Sequence, residues 1–211
     1  GEPLAQALYE EALNVGGLPF VYIEMKQEDE IALESGGSLE QLATVNPMLE
    51  LMYENCEAII RIESSQNPRA LSAYPLERQS ARAQYHSKLI NIQMRREAAE
   101  ELRRCTTQIP TFGYAQNAGM SLRQYEEFLY GACKLELDDP IAAWEKVYES
   151  HERLIDYLKG KESIQVRGEN IELDLSIAGR LFKNAGGKEN FPDGEIFTGP
   201  VEDSVNGWVR F

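Results

Sequence analysis

The sequence has too few histidines to build several common metal sites. Only two occur, His86 and His151, and no H-x-x-x-H or H-E-x-x-H pair is present. A zinc site made from two histidines on one helix face is therefore excluded. His86 lies among polar residues within a predicted helix, and His151 lies on the apolar side of another. Both are interpreted as structural residues.

Cysteine is equally scarce. The chain has three, Cys56, Cys105 and Cys133, and they never form a C-x-x-C pair. This spacing argues against a zinc ribbon and against a disulfide framework, and it fits a reducing compartment. Nothing in the residues around them supports a Cys–His nucleophilic pair.

Motifs for several other functions are also missing. There is no G-x-S-x-G elbow, no G-x-x-x-x-G-K-[ST] loop and no G-x-G-x-x-G after a strand. Gly36–Gly37 and Gly186–Gly187 are interpreted as turns. No apolar run approaches the roughly 18 residues of a membrane span. The N-terminus lacks the layout of a signal peptide. We expect a cytoplasmic protein with no membrane partner.

Positive charge is in short supply. The 211 residues contain 21 Lys and Arg against 35 Asp and Glu, which gives a net charge of −14 at pH 7. A field of this sign repels phosphate backbones and argues against a nucleic-acid partner. It favours cationic ligands or metal ions, although a solubilising acidic surface is the preferred explanation of the charge.

Helix and strand patterns alternate through the first 160 residues. Hydrophobic periodicity predicts a helix over Leu4–Val15, a buried strand at "LPFVYIEM" (18–25), a helix over Pro47–Tyr53, a strand at "EAIIRIES" (57–64), a long helix over Leu76–Arg104 and a strand near Cys105–Ile109. This alternation predicts an α/β domain, a parallel sheet with crossover helices. Since a helix here precedes the first strand, the domain is expected to lack its initial strand.

The period of the pattern changes after the next two helices. Ser121 can cap the first, as Ser38 can cap a helix earlier in the chain, and the second begins at Pro140 and ends at Gly160. Alternation around a turn at 168–170 then predicts a hairpin, and "RLFKN" and "VNGWVRF" resemble further strands. The sequence therefore predicts two domains, an α/β domain over 1–160 and the beginning of an antiparallel β-rich domain over 161–211.

Most carboxylates have ordinary explanations. Asp138–Asp139 precede Pro140, where negative charge favours a helix start. Glu169, Glu172 and Asp174 lie on or beside the predicted hairpin and are interpreted as solvated. These side chains are therefore not candidates for a site.

Glu195 is different. It follows the turn sequence Pro192-Asp193-Gly194 and begins a short apolar pair that Thr198-Gly199-Pro200 ends. A carboxylate held at the start of a short, bounded strand suits a hard or borderline cation. A turn residue fits the same pattern, and a catalytic metal needs about three protein ligands. The residues alone leave both interpretations open.

The segment from Asn190 to Phe211, "NFPDGEIFTGPVEDSVNGWVRF", closely resembles the metal-site segment of the M29 metallo-aminopeptidases, the thermophilic aminopeptidase family. The resemblance continues upstream through "AGMSLRQYEEFLY", "DDPIAAWEKVYESHERLIDYL" and "GENIELDLSIAGRLF" and covers essentially the whole chain. One departure is Asn170-Ile171, where a Thr-Asp-Leu-like sequence is expected.

The resemblance implies a two-domain, homodimeric, cytoplasmic aminopeptidase, in which residues 161–211 begin the metal-binding catalytic domain. It implies two divalent metal ions per active site (zinc, cobalt, manganese or magnesium) and a peptide substrate with a free N-terminus, which metal-activated water attacks. Glu195 maps onto the first metal ligand along the chain. The remaining ligands are expected after residue 211, so residues 1–211 are expected to be an inactive fragment. The catalytic residues are not identified. The alternatives are a non-catalytic acidic α/β interaction module and another metallohydrolase on a related scaffold.

Overall fold

The computed structural model describes all residues from 1 to 211. Eight α-helices follow in chain order: α1 (Glu2–Asn14), α2 (Glu28–Ser35), α3 (Leu39–Ala43), α4 (Pro47–Asn55), α5 (Leu76–Ala98), α6 (Phe112–Asn117), α7 (Leu122–Ala132) and α8 (Pro140–Leu158). Eight strands are present: β1 (Ala58–Glu63), β2 (Arg103–Gln108), β3 (Ser163–Gly168), β4 (Ile171–Ser176), β5 (Lys183–Ala185), β6 (Asn190–Phe191), β7 (Glu195–Phe197) and β8 (Asn206–Val209). None of the helices combines the length and apolar character that spanning a membrane requires.

The predicted fold class is confirmed. Strands β1 and β2 pair in parallel, in a register that runs from Ala58↔Arg103 to Glu63↔Gln108, and α5 connects them as the crossover helix. Later in the chain, β3, β4 and β8 form an antiparallel sheet, and β5 pairs antiparallel with β7. The molecule is thus an α/β arrangement followed by antiparallel β structure.

The chain divides into two compact units, Gly1–Phe128 and Leu129–Phe211. The predicted domain boundary at Gly160–Lys161 lies inside the second unit, because α8 packs against β5 and β7. Where the folding domains themselves divide stays a prediction.

Helix α5 organises the core of the first unit. Its side chains Tyr85 and Leu89 are buried together with Val45 and Tyr53, and half-buried Ile59 of β1 packs against them. A neighbouring buried cluster consists of Leu33, Leu42 and Ala81. Because both clusters draw on one face of α5, the helix keeps the apolar stripe expected of a helix that covers a sheet.

Arg96 is a buried cation on the same helix. Its guanidinium donates to the carbonyl oxygens of Tyr53 (2.8 Å), Cys56 (2.7 Å) and Glu101 (3.2 Å). These contacts join the ends of α4 and α5 to the turn before β2. Five fixed donors allow arginine to satisfy several carbonyl groups at once.

Two predictions about the first unit are wrong. The apolar segment 18–25 is not a strand: it pairs with no other strand, and Leu18 and Ile23 are 96% and 81% exposed. An apolar run becomes a strand only where a neighbouring strand takes up its hydrogen bonds. The long helix ends at Ala98 rather than Arg104, because the chain turns at Glu100, which has a φ of 59°.

The predicted helix caps are confirmed. Ser38 Oγ accepts from the backbone N–H of Gln41 at 3.1 Å, and Ser121 Oγ accepts from that of Gln124 at 3.2 Å. Asp139 caps α8, since its Oδ1 accepts from the N–H of Ala142 at 2.9 Å. Local side chain–backbone chemistry therefore fixes where these helices begin.

Candidate metal-ligand site

Helix α8 provides the surface on which the candidate site is built. Trp144 and Ile155 are buried, and Tyr148 is half-buried on the same side. Ile141 and Leu154 of the same helix are 74% and 46% exposed. The segment that packs on α8, residues 186–191, covers the face of the helix that carries Trp144 and Tyr148.

Gly186 and Gly187 cross this face at close range. A Cβ atom on Gly186 would lie 2.9 Å from Cδ2 of Tyr148, and one on Gly187 would lie 2.9 Å from Cε3 of Trp144. Gly187 also has a φ of +92°, which side chains rarely adopt. These glycines serve close backbone approach to α8, in addition to the turn that the sequence predicts.

Aromatic contacts hold the next residues on the same helix. The ring of Phe191 lies 5.6 Å from that of Trp144, and Lys188 Nζ lies 4.0 Å from the ring centre of Tyr148. The indole N–H of Trp144 donates to the carbonyl of Cys133 at 3.0 Å, which fixes the ring itself. The segment leading to Glu195 thus packs on two aromatic side chains of α8, of which Trp144 is itself held by a hydrogen bond.

The Asn184 side chain connects β5 to α8. Its amide nitrogen donates to the carbonyl of Tyr148 at 3.0 Å and to Oε1 of Glu152 at 2.7 Å. Its oxygen lies 3.0 Å from Nδ1 of His151. Because an amide oxygen only accepts, Nδ1 of His151 carries the hydrogen. This contact agrees with the interpretation of His151 as a structural residue.

Glu195 begins β7, opposite Ala185 of β5. The N–H of Gly194 donates to the carbonyl of Ala185 at 3.1 Å, and Thr198 Oγ1 donates to the carbonyl of Leu181 at 2.8 Å. Both ends of this three-residue strand are therefore tied to the segment that contains β5. The Glu195 side chain is exposed, and its carboxylate has no hydrogen-bond or ion-pair partner in residues 1–211.

The two faces of the β5–β7 pair differ. Asn184 lies opposite Ile196, and this pair occupies the face that meets α8. Since side chains alternate along a strand, Glu195 and Phe197 project from the other face. An open groove of about 660 Å³ borders Phe197 and Leu181 on this strand pair. Basic side chains, Arg180 and Lys183, line this groove together with the apolar ones, and Glu195 lies outside its lining.

Asp193 adds negative charge beside Glu195. Its Oδ1 accepts from the N–H of Gly194 at 2.9 Å, which forms the turn into β7. Burial raises the pKa of this carboxyl group, and the negative charges of Glu195 and Glu189 act in the same direction. The sequence indicated only a turn role for Asp193. Its electrostatic coupling to Glu195 depends on the folded loop.

Glu195 can serve as one ligand of a metal ion, but residues 1–211 do not contain a complete metal site. An unpartnered carboxylate on a seated strand is a suitable oxygen ligand for a divalent cation. No group of three His, Cys, Asp or Glu side chains in residues 1–211 is arranged to hold an ion. The assignment of Glu195 as a metal ligand stays a prediction.

The carboxylates on the strands of the β3–β4 hairpin lie in ordinary contacts. Arg167 Nη2 contacts both oxygens of Asp174, at 2.8 and 2.9 Å, and these hydrogen bonds lower the pKa of that carboxyl group. Glu172 lies 3.9 Å from Nε of the same arginine. The acidic side chains on the polar face of the β3–β4 hairpin therefore interact with Arg167 and are also exposed to solvent.

The remaining candidates are structural. His86 Nε2 lies 3.5 Å from Oδ2 of Asp29, a residue that also pairs with Arg82. None of Cys56, Cys105 and Cys133 forms a disulfide. None of these side chains belongs to a cluster that could hold a metal ion.

One protein family matches the whole chain. A family model described as "Thermophilic metalloprotease (M29)" matches residues 1–211. Aminopeptidase 2 of Geobacillus stearothermophilus is 32% identical over 119 residues, which are 48% of this chain and 29% of that protein.

The fold also matches a solved structure, wild-type AmpT from Thermus thermophilus. The TM-score is 0.71 at 23% sequence identity, and the match covers 96% of this chain and 54% of that one. At this identity the likeness shows the fold. The chain spans about half the length of the solved relative and matches less than a third of the curated one.

Proposed function

Because this chain belongs to the thermophilic metalloprotease (M29) family, we propose that it forms part of a metal-dependent aminopeptidase in which Glu195 is a metal ligand. The observation that carries the proposal is the free carboxylate of Glu195, presented on a strand that α8 and β5 hold in place. A carboxylate that the fold positions but leaves unpaired is available to a cation.

The chain's own residues would orient the ligand and shape its surroundings. Gly194 and Ala185 fix the backbone of Glu195, and the negative charge of Asp193 lies nearby. A divalent metal held by Glu195 and by further ligands would activate a water molecule and polarise the scissile carbonyl. Residues 1–211 contain only one such ligand, so this chain alone should bind metal weakly and show no turnover.

The proposed substrate is a peptide with a free N-terminus. Its α-ammonium group is cationic, and a protein with a net charge of −14 attracts cations over distances set by the ionic strength. Two metal ions per active site, a homodimer and a cytoplasmic location are parts of the same proposal, and family membership supports them.

The test is Glu195→Gln in the full-length, metal-loaded protein. The amide keeps the size of the side chain and removes the charge, so bound metal and cleavage of an aminoacyl amide should both fall. Outer-shell partners of metals typically account for about 10- to 100-fold in affinity or activity, and loss of a ligand itself should reach at least the upper figure.

The matched control is Glu169→Gln, which removes an exposed carboxylate from the hairpin turn of the same unit. It should leave metal content and turnover unchanged. Full activity in Glu195→Gln would sink the assignment of the ligand. A wild-type protein that neither binds metal nor cleaves peptides would favour the non-catalytic module.

A further inference from the structure

Strand β7 is short and pairs with a single strand. It has three residues, and β5, also three residues long, is the only strand that pairs with it. The ladder joins Ala185 to Glu195 and Asn184 to Ile196. The place of Glu195 is therefore set by β5, and Asn184 is one position away from the residue opposite it.

Asn184 fixes β5 to α8 through three polar contacts. The amide nitrogen donates to Tyr148 and to Glu152, and the oxygen accepts from His151, with distances between 2.7 and 3.0 Å. All three partners lie within one turn of a 19-residue helix. A regular helix of this length is a rigid support, whereas a two-stranded sheet is marginally stable alone.

We propose that Asn184 is a positioning residue for the metal ligand Glu195, acting through the β5–β7 pairing. The inference rests on the proposed function. A metal ligand must be held within about 0.5 Å of its productive position. The Asn184 contacts hold β5 in a fixed position on α8. Because β7 pairs with β5, they also fix the position of Glu195.

The sharpest variant is Asn184→Asp, which keeps the shape of the side chain. The hydrogen bond from His151 survives, but an oxygen now faces both the carbonyl of Tyr148 and the carboxylate of Glu152. Two acceptors without a hydrogen between them repel each other. The substitution should therefore push β5 away from α8 without emptying space in the core.

A matched control exists in the same unit. Gln165 Nε2 donates to Oδ1 of Asp174 at 2.9 Å, on the β3–β4 hairpin. Gln165→Glu makes the same change, from an amide that donates to a carboxylate into a second carboxylate. It lies outside the β5–β7 pair, because β3 pairs with neither of these strands.

The experiment measures the affinity of the full-length protein for Co²⁺ and Zn²⁺ by calorimetric titration, with the visible spectrum of bound Co²⁺ as a second readout. Asn184→Asp should weaken binding about tenfold, the lower range for outer-shell changes. It should also alter the Co²⁺ spectrum and lower kcat. Gln165→Glu should stay within about twofold of the wild type on both readouts.

Rescue separates positioning from a general loss of stability. Adding Glu152→Gln to Asn184→Asp supplies a donor to the new carboxylate. The double variant should bind metal about threefold more tightly than Asn184→Asp alone. If Asn184→Asp does not yield folded protein, Glu152→Ala on the exposed side of α8 removes one of the three contacts and should weaken metal binding two- to threefold.

The outcomes distinguish the two proposals. Metal affinity in Asn184→Asp equal to that of Gln165→Glu, or in Glu152→Ala equal to that of the wild type, overturns the positioning role. The proposed function fails separately, through a wild-type protein that binds no metal or an active Glu195→Gln variant.

Discussion

Trp144 occupies the space beside Gly187, so that a Cβ atom on Gly187 would stand 2.9 Å from Cε3 of the indole ring. The ring cannot retreat easily, because its N–H is bonded to the carbonyl of Cys133. The backbone of Gly187 also has a φ of +92°. Contact and conformation therefore both require glycine at this position.

Gly187→Ala should lower the free energy of unfolding by about 1–3 kcal/mol, the usual cost of overpacking combined with a strained backbone. Urea unfolding followed by tryptophan fluorescence measures it directly. Gly199→Ala is the control, because a Cβ there meets nothing within 4 Å. Equal stability of the two variants would show that the contact with Trp144 has no energetic weight.

Asp29 should make stability depend on pH at the acidic end. His86 and Arg82 hydrogen-bond its carboxylate and lower its pKa from 3.8 to about 2. A depressed pKa contributes stability that is complete above the unfolded pKa and is lost as the pH falls from about 4 to 2. The carboxylate is 31% exposed, so the contribution is about 1 kcal/mol after screening.

The substitution Asp29→Asn removes this pH-dependent contribution to stability. The difference in free energy of unfolding between wild type and Asp29→Asn should be about 1 kcal/mol at pH 6 and should vanish towards pH 2. Glu10→Gln, an exposed change on α1, should show no such trend. A difference that stays constant from pH 6 to pH 2 would contradict the role given to Asp29.

Adjacent arginines on α5 should differ sharply in importance. Buried Arg96 donates to three carbonyl groups, whereas Arg95 makes one ion pair with Glu54 at 2.6 Å and is 64% exposed. Arg96→Met should cost about 2–4 kcal/mol, because it leaves buried carbonyls without donors. Arg95→Met should change stability by less than about 1 kcal/mol. Thermal unfolding of both variants tests this, and a reversed order would refute it.

The start of α8 offers a smaller effect. Asp139 Oδ1 accepts from the N–H of Ala142, so Asp139→Ala should cost about 1 kcal/mol of stability. Asp138→Ala, at the preceding exposed position, should cost no more than a few tenths of that. Calorimetric unfolding of the two variants should therefore separate a cap from a nearby charge. Indistinguishable melting temperatures would rule out the cap.

Local chemistry explains which parts of the fold could be predicted. Caps at Ser38, Ser121 and Asp139, and the hairpin of β3 and β4, depend on residues within a few positions of each other. The segment 18–25 was predicted wrongly because an apolar run does not say whether a partner strand is beside it.

The candidate site could also be predicted only in part. Glu195 could be singled out from its turn and its motif, but its support could not. Asn184 reaches Tyr148 across 36 positions and His151 across 33, contacts that carry no periodic signal. An asparagine at the end of the predicted strand "RLFKN", in a kind of element where this residue is depleted, was the one available hint.

The exposed segment 18–25 has a consequence for handling the protein. Leu18, Phe20 and Ile23 are 96%, 63% and 81% exposed, and apolar surface of this kind promotes association between molecules. A net charge of −14 opposes it through mutual repulsion. Salt screens that repulsion, and acid near the isoelectric point of about 4.7 abolishes it. Residues 1–211 should therefore keep their colloidal stability best in dilute buffer at neutral pH.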